Sequence, residues 1–445
     1  MSPQSTFMAA KPMIASKHLR SIRSARSLLP TLALVVIACA LSEVTAAQLG
    51  GPLPGIKPTE TKFFNNGKSQ FNRLWGLTEG VGPVETDGAC KRCHNTPVLG
   101  GGGVRLLTFF GKTNPDKSFD PLYNEGGLLL QPLSNSAFIL GGVCTLPGEQ
   151  IPADANSIEK RLAPPVFGFG LIDAIADADI LNEATFQANN YQADGIHGTA
   201  QIVPTYYAAA PHSVGRFGKK SHIANLVEMT AFAFAHDFGI TNPIFQDEDL
   251  PQGQPIPPEC VGNSMVPNNQ NSGSGGQGIF PLSHFMRYLA PPVPQPPTQQ
   301  SLDGQVVFTT IGCDKCHKAS YTTPATVTVQ TDLSGTTLPS PALSNQIVAL
   351  YSDLLLHDMG NSLKGKIAPG TPITQNASLT QWRTVPLWGL SVRSKFLHDG
   401  RASSLDTAIL DHSLDGTGEA AIVIGRYKAL SQTDHDNLLA FLNSL

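Results

Sequence analysis

The sequence is short of charge. Only 14% of its 445 residues are charged, against 41% hydrophobic, a balance that reads as globular rather than disordered. Basic residues are the scarcer sign, 30 against 34 acidic, and five of them lie before residue 48 together with one acid, Glu43. Cleavage at that point leaves a formal charge of −8, which argues against nucleic acid as a partner and suits a cationic one. Long apolar runs are missing too: residues 28–41 are interrupted by Pro30 and Thr31 and fall short of a comfortable bilayer span. Residues 100–103 are four glycines, but they lack the Lys-Ser/Thr of a phosphate loop and the spacing of a dinucleotide fingerprint. They read as a close backbone approach or a plain flexible loop. No EF-hand-like calcium loop is present.

Cysteine is scarce at seven, and four of the seven are spent in one pattern. Cys90-Lys91-Arg92-Cys93-His94 returns as Cys313-Asp314-Lys315-Cys316-His317. This Cys-x-x-Cys-His spacing is the attachment signature of a c-type haem. Two thiols three residues apart share one face of a helical turn and add to the two vinyl groups of one porphyrin, while the histidine that follows ligates the iron. Zinc would want two pairs, or a pair with histidines, at one tetrahedral site, with no call for a histidine directly after each pair. A redox dithiol belongs beside a βαβ pattern, and none is evident. The expectation is therefore two haem c groups, with His94 and His317 as proximal ligands.

The remaining cysteines fit an exported protein. Lys11, Lys17, Arg20, Arg23 and Arg26 precede the apolar run, and Thr45-Ala46-Ala47 follows it, so residues 1–47 read as a signal peptide cleaved after Ala46 or Ala47. A rival reading takes Val36-Ile37-Ala38-Cys39 as a lipoprotein box and Cys39 as a lipid-anchored N-terminus. Either way the folded part is periplasmic. Cys144 and Cys260 then pair as one disulfide, the alternative being two buried free thiols.

The rest of the chain divides by composition. Residues 48–285 form an N-terminal haem domain with insertions, 286–300 a Pro-rich linker, and 301–445 a compact cytochrome c-like domain ending in an amphipathic helix. The fold class is mainly α: two cytochrome c-like domains, rich in loops, each holding one covalent haem. Between His94 and His197 there is neither histidine nor methionine. The sixth position of the first haem is thus open, or filled from far away by His197, His212, His222, His236 or Met229. An open position suits oxygen or peroxide chemistry, whereas two filled ones suit electron transfer alone. For the second haem, spacing leaves Met359 and His412 both eligible. A helix is expected over residues 223–238, with Glu228 and Asp237 near its two ends; both acids also fit a merely solvated helix face.

Three stretches carry a family resemblance: Tyr351-Ser-Asp-Leu-Leu-Leu-His-Asp-Met-Gly360, Trp382-Arg-Thr-Val-Pro-Leu-Trp-Gly389 and Phe396-Leu-His-Asp-Gly-Arg-Ala402. Pro164-Pro-Val-Phe-Gly-Phe-Gly-Leu-Ile-Asp-Ala-Ile175 and Gly215-Arg-Phe-Gly218 extend it into the first half. Together they resemble the bacterial di-haem oxidoreductases, labelled as peroxidases or thiol oxidoreductases, and more distantly the di-haem cytochrome c peroxidases. The resemblance implies a reactive N-terminal haem and an electron-relaying C-terminal one. It places His412 at the position of the peroxidase methionine ligand, ahead of Met359, and Glu228 and Asp237 nearest the distal acids. It also brings a calcium ion between domains into consideration. The chain departs from the family at Met229, where relatives tend to show Gln, and at Lys219, where they show an aromatic.

The expected function is an exported di-haem oxidoreductase. It would turn over hydrogen peroxide or another oxidant, with electrons from a small cytochrome or cupredoxin. The alternatives are a di-haem electron carrier without its own substrate, and an oxidase of thiols or protein side chains.

Overall fold

Two pairs of crossing helices organise the chain, one beside each Cys-x-x-Cys-His segment. The computed structural model describes residues 48–76, 80–134, 146–206, 210–257, 278–332 and 334–445. The expected signal peptide, Cys39, and the expected disulfide between Cys144 and Cys260 lie outside them. No helix among the described residues is long and apolar enough to cross a membrane.

Helix α1, Pro58–Asn72, starts where Pro58 brings a preset φ and needs no donor. Its Glu60 reaches back to the Lys57 N–H at 2.6 Å. Phe64, Gly67 and Phe71 point inward from α1, the spacing of one helix face. They meet α5, Ile279–Tyr288, whose ten residues are all buried. Between these two in sequence lie α2, Phe169–Asp173, α3, Asp177–Asn190, and α4, Leu226–Phe238. The Asn225 side chain caps α4 by accepting from the Glu228 N–H at 2.9 Å.

The second pair repeats the design. Helix α6, Gln299–Ile311, is capped by Thr298 and stops at Gly312, whose φ of 95° is left-handed. Helices α7, Leu405–Asp411, and α8, Ala421–Lys428, follow. Helix α9, Gln432–Leu442, returns to cross α6, setting Leu438, Phe441 and Leu442 against Phe308 and Ile311. Both crossings occur at glycine. A Cβ on Gly67 would stand 2.0 Å from the Pro281 carbonyl oxygen, and one on Gly304 1.9 Å from that of Asn437.

The expectation of a mainly α protein is only partly met. Nine α-helices are accompanied by thirteen short strands among the described residues. The longest strand, Leu106–Thr113, pairs antiparallel with Ser157–Leu162 in the register Leu106↔Leu162 to Gly111↔Ser157. A loop over residues 163–168 then leads from Ser157–Leu162 into the short α2. A second ribbon joins Leu356–Asp358 to Gln381–Arg383. Residues 347–356 form no helix despite their apolar run. Ile347 and Ala349 are exposed while Ser352 to Leu356 are buried one after another, a pattern with no helical period.

Substituting Gly304→Val forces the α6–α9 crossing apart, because the obstacle is backbone. We expect a loss of about 3 kcal/mol, the upper end for overpacking, measured by urea unfolding; Gly425→Ala, with open space around its Cβ position, serves as the neutral control.

Candidate functional site

Each Cys-x-x-Cys-His segment folds as a single 3-10 turn. Cys93 N–H and His94 N–H both donate to Cys90 O, at 3.1 and 3.0 Å. Cys316 N–H and His317 N–H do the same to Cys313 O, at 3.4 and 2.9 Å. All four thiols are free and half-buried.

Both imidazoles are oriented by the same device. His94 Nδ1 lies 2.8 Å from Pro164 O, and His317 Nδ1 lies 3.0 Å from Tyr351 O. A carbonyl only accepts, so Nδ1 carries the proton and Nε2 keeps a lone pair for a metal. Burial pushes both histidines down to about 4, so they are neutral, as ligands must be. Before the first turn, the Thr86 hydroxyl donates to Asp237 O at 3.0 Å. Asp87 pairs with Arg92 at 3.1 Å and with Arg105.

The donor set fits haem. A cavity of about 350 Å³ opens beside His317, lined by Phe308, Asp314, Lys318 and Tyr351 among others. The His412 ring stands across from His317, centroid to centroid 6.4 Å. Two imidazoles on one metal would be separated by roughly 6.2 Å, from bonds of about 2 Å and a nitrogen-to-centroid offset of about 1.1 Å on each side. His412 Nδ1 donates to Ala408 O at 2.6 Å, so its Nε2 is free as well. Met359 lies outside the apolar cluster around Cys313 and Cys316, tied by its N–H to Thr380 O at 2.9 Å.

Around the first turn the picture differs. Phe71 stands 6.0 Å from His94 as Phe308 stands 6.4 Å from His317, but among the described residues no second imidazole ring pairs with that of His94. Of the distant candidates, His197 and His212 are exposed. His236 pairs with Asp249 at 3.1 Å. Buried His222 stands edge-on to Phe232, and Met229 packs on the apolar core. Burial does most to lower the His94 imidazole, and the charge of Lys219 adds a smaller push in the same direction.

Glu228 and Asp237 do not converge. They sit nine residues apart on α4, about 14 Å along its axis. Glu228 is buried near the N-terminus, where Oε1 accepts the Tyr206 N–H at 2.9 Å. Asp237, at the other end, acts on Cys90 and Cys93. Burial raises its carboxyl to about 7.

Sequence reading passed over a buried network beside Cys316. His357, 2% exposed, lies between Asp353 at 2.8 Å and Glu419 at 2.6 Å. The Cys316 sulfur is 3.6 Å from His357 Nδ1. Gln187 Nε2 donates to Asp353 at 2.8 Å and to Lys315 O at 3.0 Å. Cys316, Asp353 and His357 bring their ligand atoms within 4.8 Å of one another. Both His357 nitrogens are already engaged by carboxylates, and the donor set is not the all-oxygen one calcium takes. The signal available in sequence was the Asp-Leu-Leu-Leu-His segment, an i, i+4 acid and histidine.

This triad sets a pH window. Burial opposes charge on His357, but the Cys316 sulfur and the Asp353 carboxylate override it and hold the imidazole well above 6.5. Burial likewise opposes charge on Asp353 and Glu419, and His357 holds both below the usual carboxylate range. The carboxylates contribute above their unfolded values of about 4 and lose that contribution as pH falls through their lower folded values. His357 contributes fully below about 6.5, and that contribution is lost as pH rises through its higher folded value. The triad is thus most stabilising from about pH 4 to 6.5. His357→Leu should cost about 3–5 kcal/mol at pH 6 by orphaning two buried carboxylates. Urea midpoints should show that cost shrinking on acidification, as the orphaned carboxylates protonate.

The family model described as "Di-haem oxidoreductase, putative peroxidase" matches residues 150–445. No curated protein matches the chain. Among solved structures, it is similar to the hydrazine synthase of Kuenenia stuttgartiensis, pressurised with xenon: 13% identity, TM-score 0.36, 98% of this chain and 100% of that one covered. It is also similar to a variant of the diheme peroxidase BthA from Burkholderia thailandensis: 13% identity, TM-score 0.35, 90% and 88% covered. A third is a MauG-like protein associated with microbial copper homeostasis: 14% identity, TM-score 0.29, 63% and 89% covered.

Proposed function

Because the chain belongs to the di-haem oxidoreductase family, we propose that it is an exported di-haem c peroxidase-type enzyme whose two haem sites differ in coordination. The observation that carries this reading is the unequal surroundings of the two proximal histidines. Each imidazole faces a phenylalanine, Phe71 for His94 and Phe308 for His317, but among the described residues only His317 also has a second imidazole, that of His412, 6.4 Å away. The overall reaction takes hydrogen peroxide, two electrons and two protons to two waters.

Cys90 and Cys93 would tether one porphyrin over His94, and Cys313 and Cys316 the other over His317. Bound haem supplies the electron-transfer and oxidant-binding chemistry that side chains lack. Pro164 O and Tyr351 O fix the ring planes of His94 and His317 through Nδ1. His412 closes the second site and keeps it for relay. Asp237 is the acid placed to hold a proton near the first turn: with its carboxyl near 7, it is protonated below neutrality and ionised above. Export rests on the basic, apolar and small-residue pattern of residues 1–47, and a periplasmic cytochrome or cupredoxin is the electron donor. The formal charge of −8 would steer a cationic donor, most effectively at low salt.

In the purified protein, cyanide should alter the visible and electron paramagnetic resonance spectra of one haem and leave the other unchanged. Two haems that both resist cyanide and carbon monoxide would defeat the reading and leave an electron carrier. His412→Met should raise the midpoint potential of the cyanide-insensitive haem, followed by redox titration. Asp237→Asn should lower peroxide turnover about 10²-fold and flatten its decline above pH 7. An unchanged pH profile would remove Asp237 from the mechanism.

A further inference from the structure

Most buried cations of this protein have an anion or a full set of carbonyls. Arg161 meets Glu159 at 2.6 Å, Arg287 meets Asp173 at 3.2 Å, and Arg216 meets Asp177. Even half-buried Lys315 and exposed Arg426 share Asp194. Lys220 gives its ammonium to the carbonyls of Ser378, Leu379 and Gln381 and stands 3.7 Å over the Trp382 ring.

Lys219, Arg383 and Arg393 break the pattern. Among the described residues, no carboxylate lies within ion-pair distance of any of them. Arg383 spends Nε on Gly218 O at 3.0 Å and Nη1 on Thr384 O at 3.1 Å. Arg393 spends Nη2 on Pro386 O at 3.1 Å and Trp388 O at 2.7 Å, and its Nε is buried without a partner. The Arg383 N–H holds the Lys219 carbonyl at 3.0 Å. Burial, then the charges of Arg383 and Arg393, push the Lys219 ammonium down to about 7. Burial brings both arginines down to about 10. Asp399, the acid that acts on Lys219, is engaged by Arg401 at 2.7 Å.

The cluster occupies a seam. Trp388, whose carbonyl takes Arg393, packs in the apolar core that Cys90 adjoins. Leu387 and Leu390, on either side of it, pack in the core that Cys313 and Cys316 adjoin. The charge of Lys219 also adds a smaller push to that of burial on His94. Arg383 is buried and Lys219 and Arg393 are half-buried; like charges gathered with no counter-ion are costly, and a guanidinium fork is shaped for a carboxylate.

We propose that Lys219, Arg383 and Arg393 form a carboxylate-binding site at this seam, and that its ligand is the propionate pair of the porphyrin held over His94. The proposal rests on the haem reading above and adds what that reading leaves open: how the porphyrin's free edge is fixed. Cations on the propionates disfavour the oxidised iron, so the site raises the reduction potential of that haem.

The test is a spectroelectrochemical titration of both haems over a range of pH, in the holoprotein and in Lys219→Met, Arg393→Gln and Lys219→Arg. Haem content is measured on the same samples by the pyridine haemochrome assay. Lys219→Met and Arg393→Gln should each lower the midpoint potential of the first haem and make it pH-dependent, as a released propionate begins to titrate. Lys219→Arg should restore both properties. Full haem content with an unshifted first potential overturns the proposal, and so does a shift confined to the second haem. Where a variant does not mature, a crystal structure of the wild-type holoprotein decides. Propionate oxygens within hydrogen-bonding distance of Lys219 Nζ and the Arg393 guanidinium support the proposal; propionates turned elsewhere overturn it. A protein without covalent haem overturns the haem reading itself, and the haemochrome assay reports that result separately.

Discussion

The hydrogen bond from each proximal imidazole to a backbone carbonyl is the constraint on which both sites depend. Pro164 O and Tyr351 O are far from their histidines in sequence, yet each receives Nδ1 at about the same distance, 2.8 and 3.0 Å. Without that bond a histidine at the end of a 3-10 turn is free to rotate, and either nitrogen could carry the proton. With it, the tautomer and the direction of the lone pair are set before any metal arrives. The crossing helices matter because they hold the carbonyl and the turn in fixed relation. Gly67 and Gly304 permit the close approach that makes those crossings rigid.

Charge is handled differently in the two halves of the site. Beside Cys316, positive and negative groups are matched: His357 is clasped by Asp353 and Glu419, and Gln187 satisfies the outer lone pairs. Around Lys219 the cations repel one another and the low-dielectric surroundings amplify the repulsion. The first arrangement is complete as it stands, whereas the second calls for an anion. Side chains alone thus distinguish a site built for constancy from one built around a ligand.

How much of this was legible in the sequence depended on distance along the chain. Cys90–His94 and Cys313–His317 are local, and chemistry fixes their spacing, so they could be read directly. His412 was reachable through its place after the Phe-Leu-His-Asp-Gly-Arg-Ala motif, and its ring lies 6.4 Å from that of His317. Glu419, 62 residues from His357, had no local signal at all. The Lys219, Arg383 and Arg393 cluster is assembled from three loops and strands, and sequence shows only three scattered cations. The strand Leu106–Thr113 escaped notice because its burial does not alternate cleanly; three consecutive residues, Phe109 to Gly111, are all inside. Glu228 and Asp237 were grouped because they share a helix, but a helix separates its two ends as firmly as it joins them.

One feature of the seam reaches beyond chemistry into ancestry. Glu183, Gln187 and Asp194, all on or just after α3, contact Lys318, Asp353 and the Lys315–Arg426 pair, so residues from the first half complete the electrostatics of the second turn. The repeated helix-crossing plan looks like a duplication, but these cross-links have made its copies interdependent. A recombinant that exchanged one half for a cousin's would inherit mismatched charges at the join, and drift in either copy is answerable to the other.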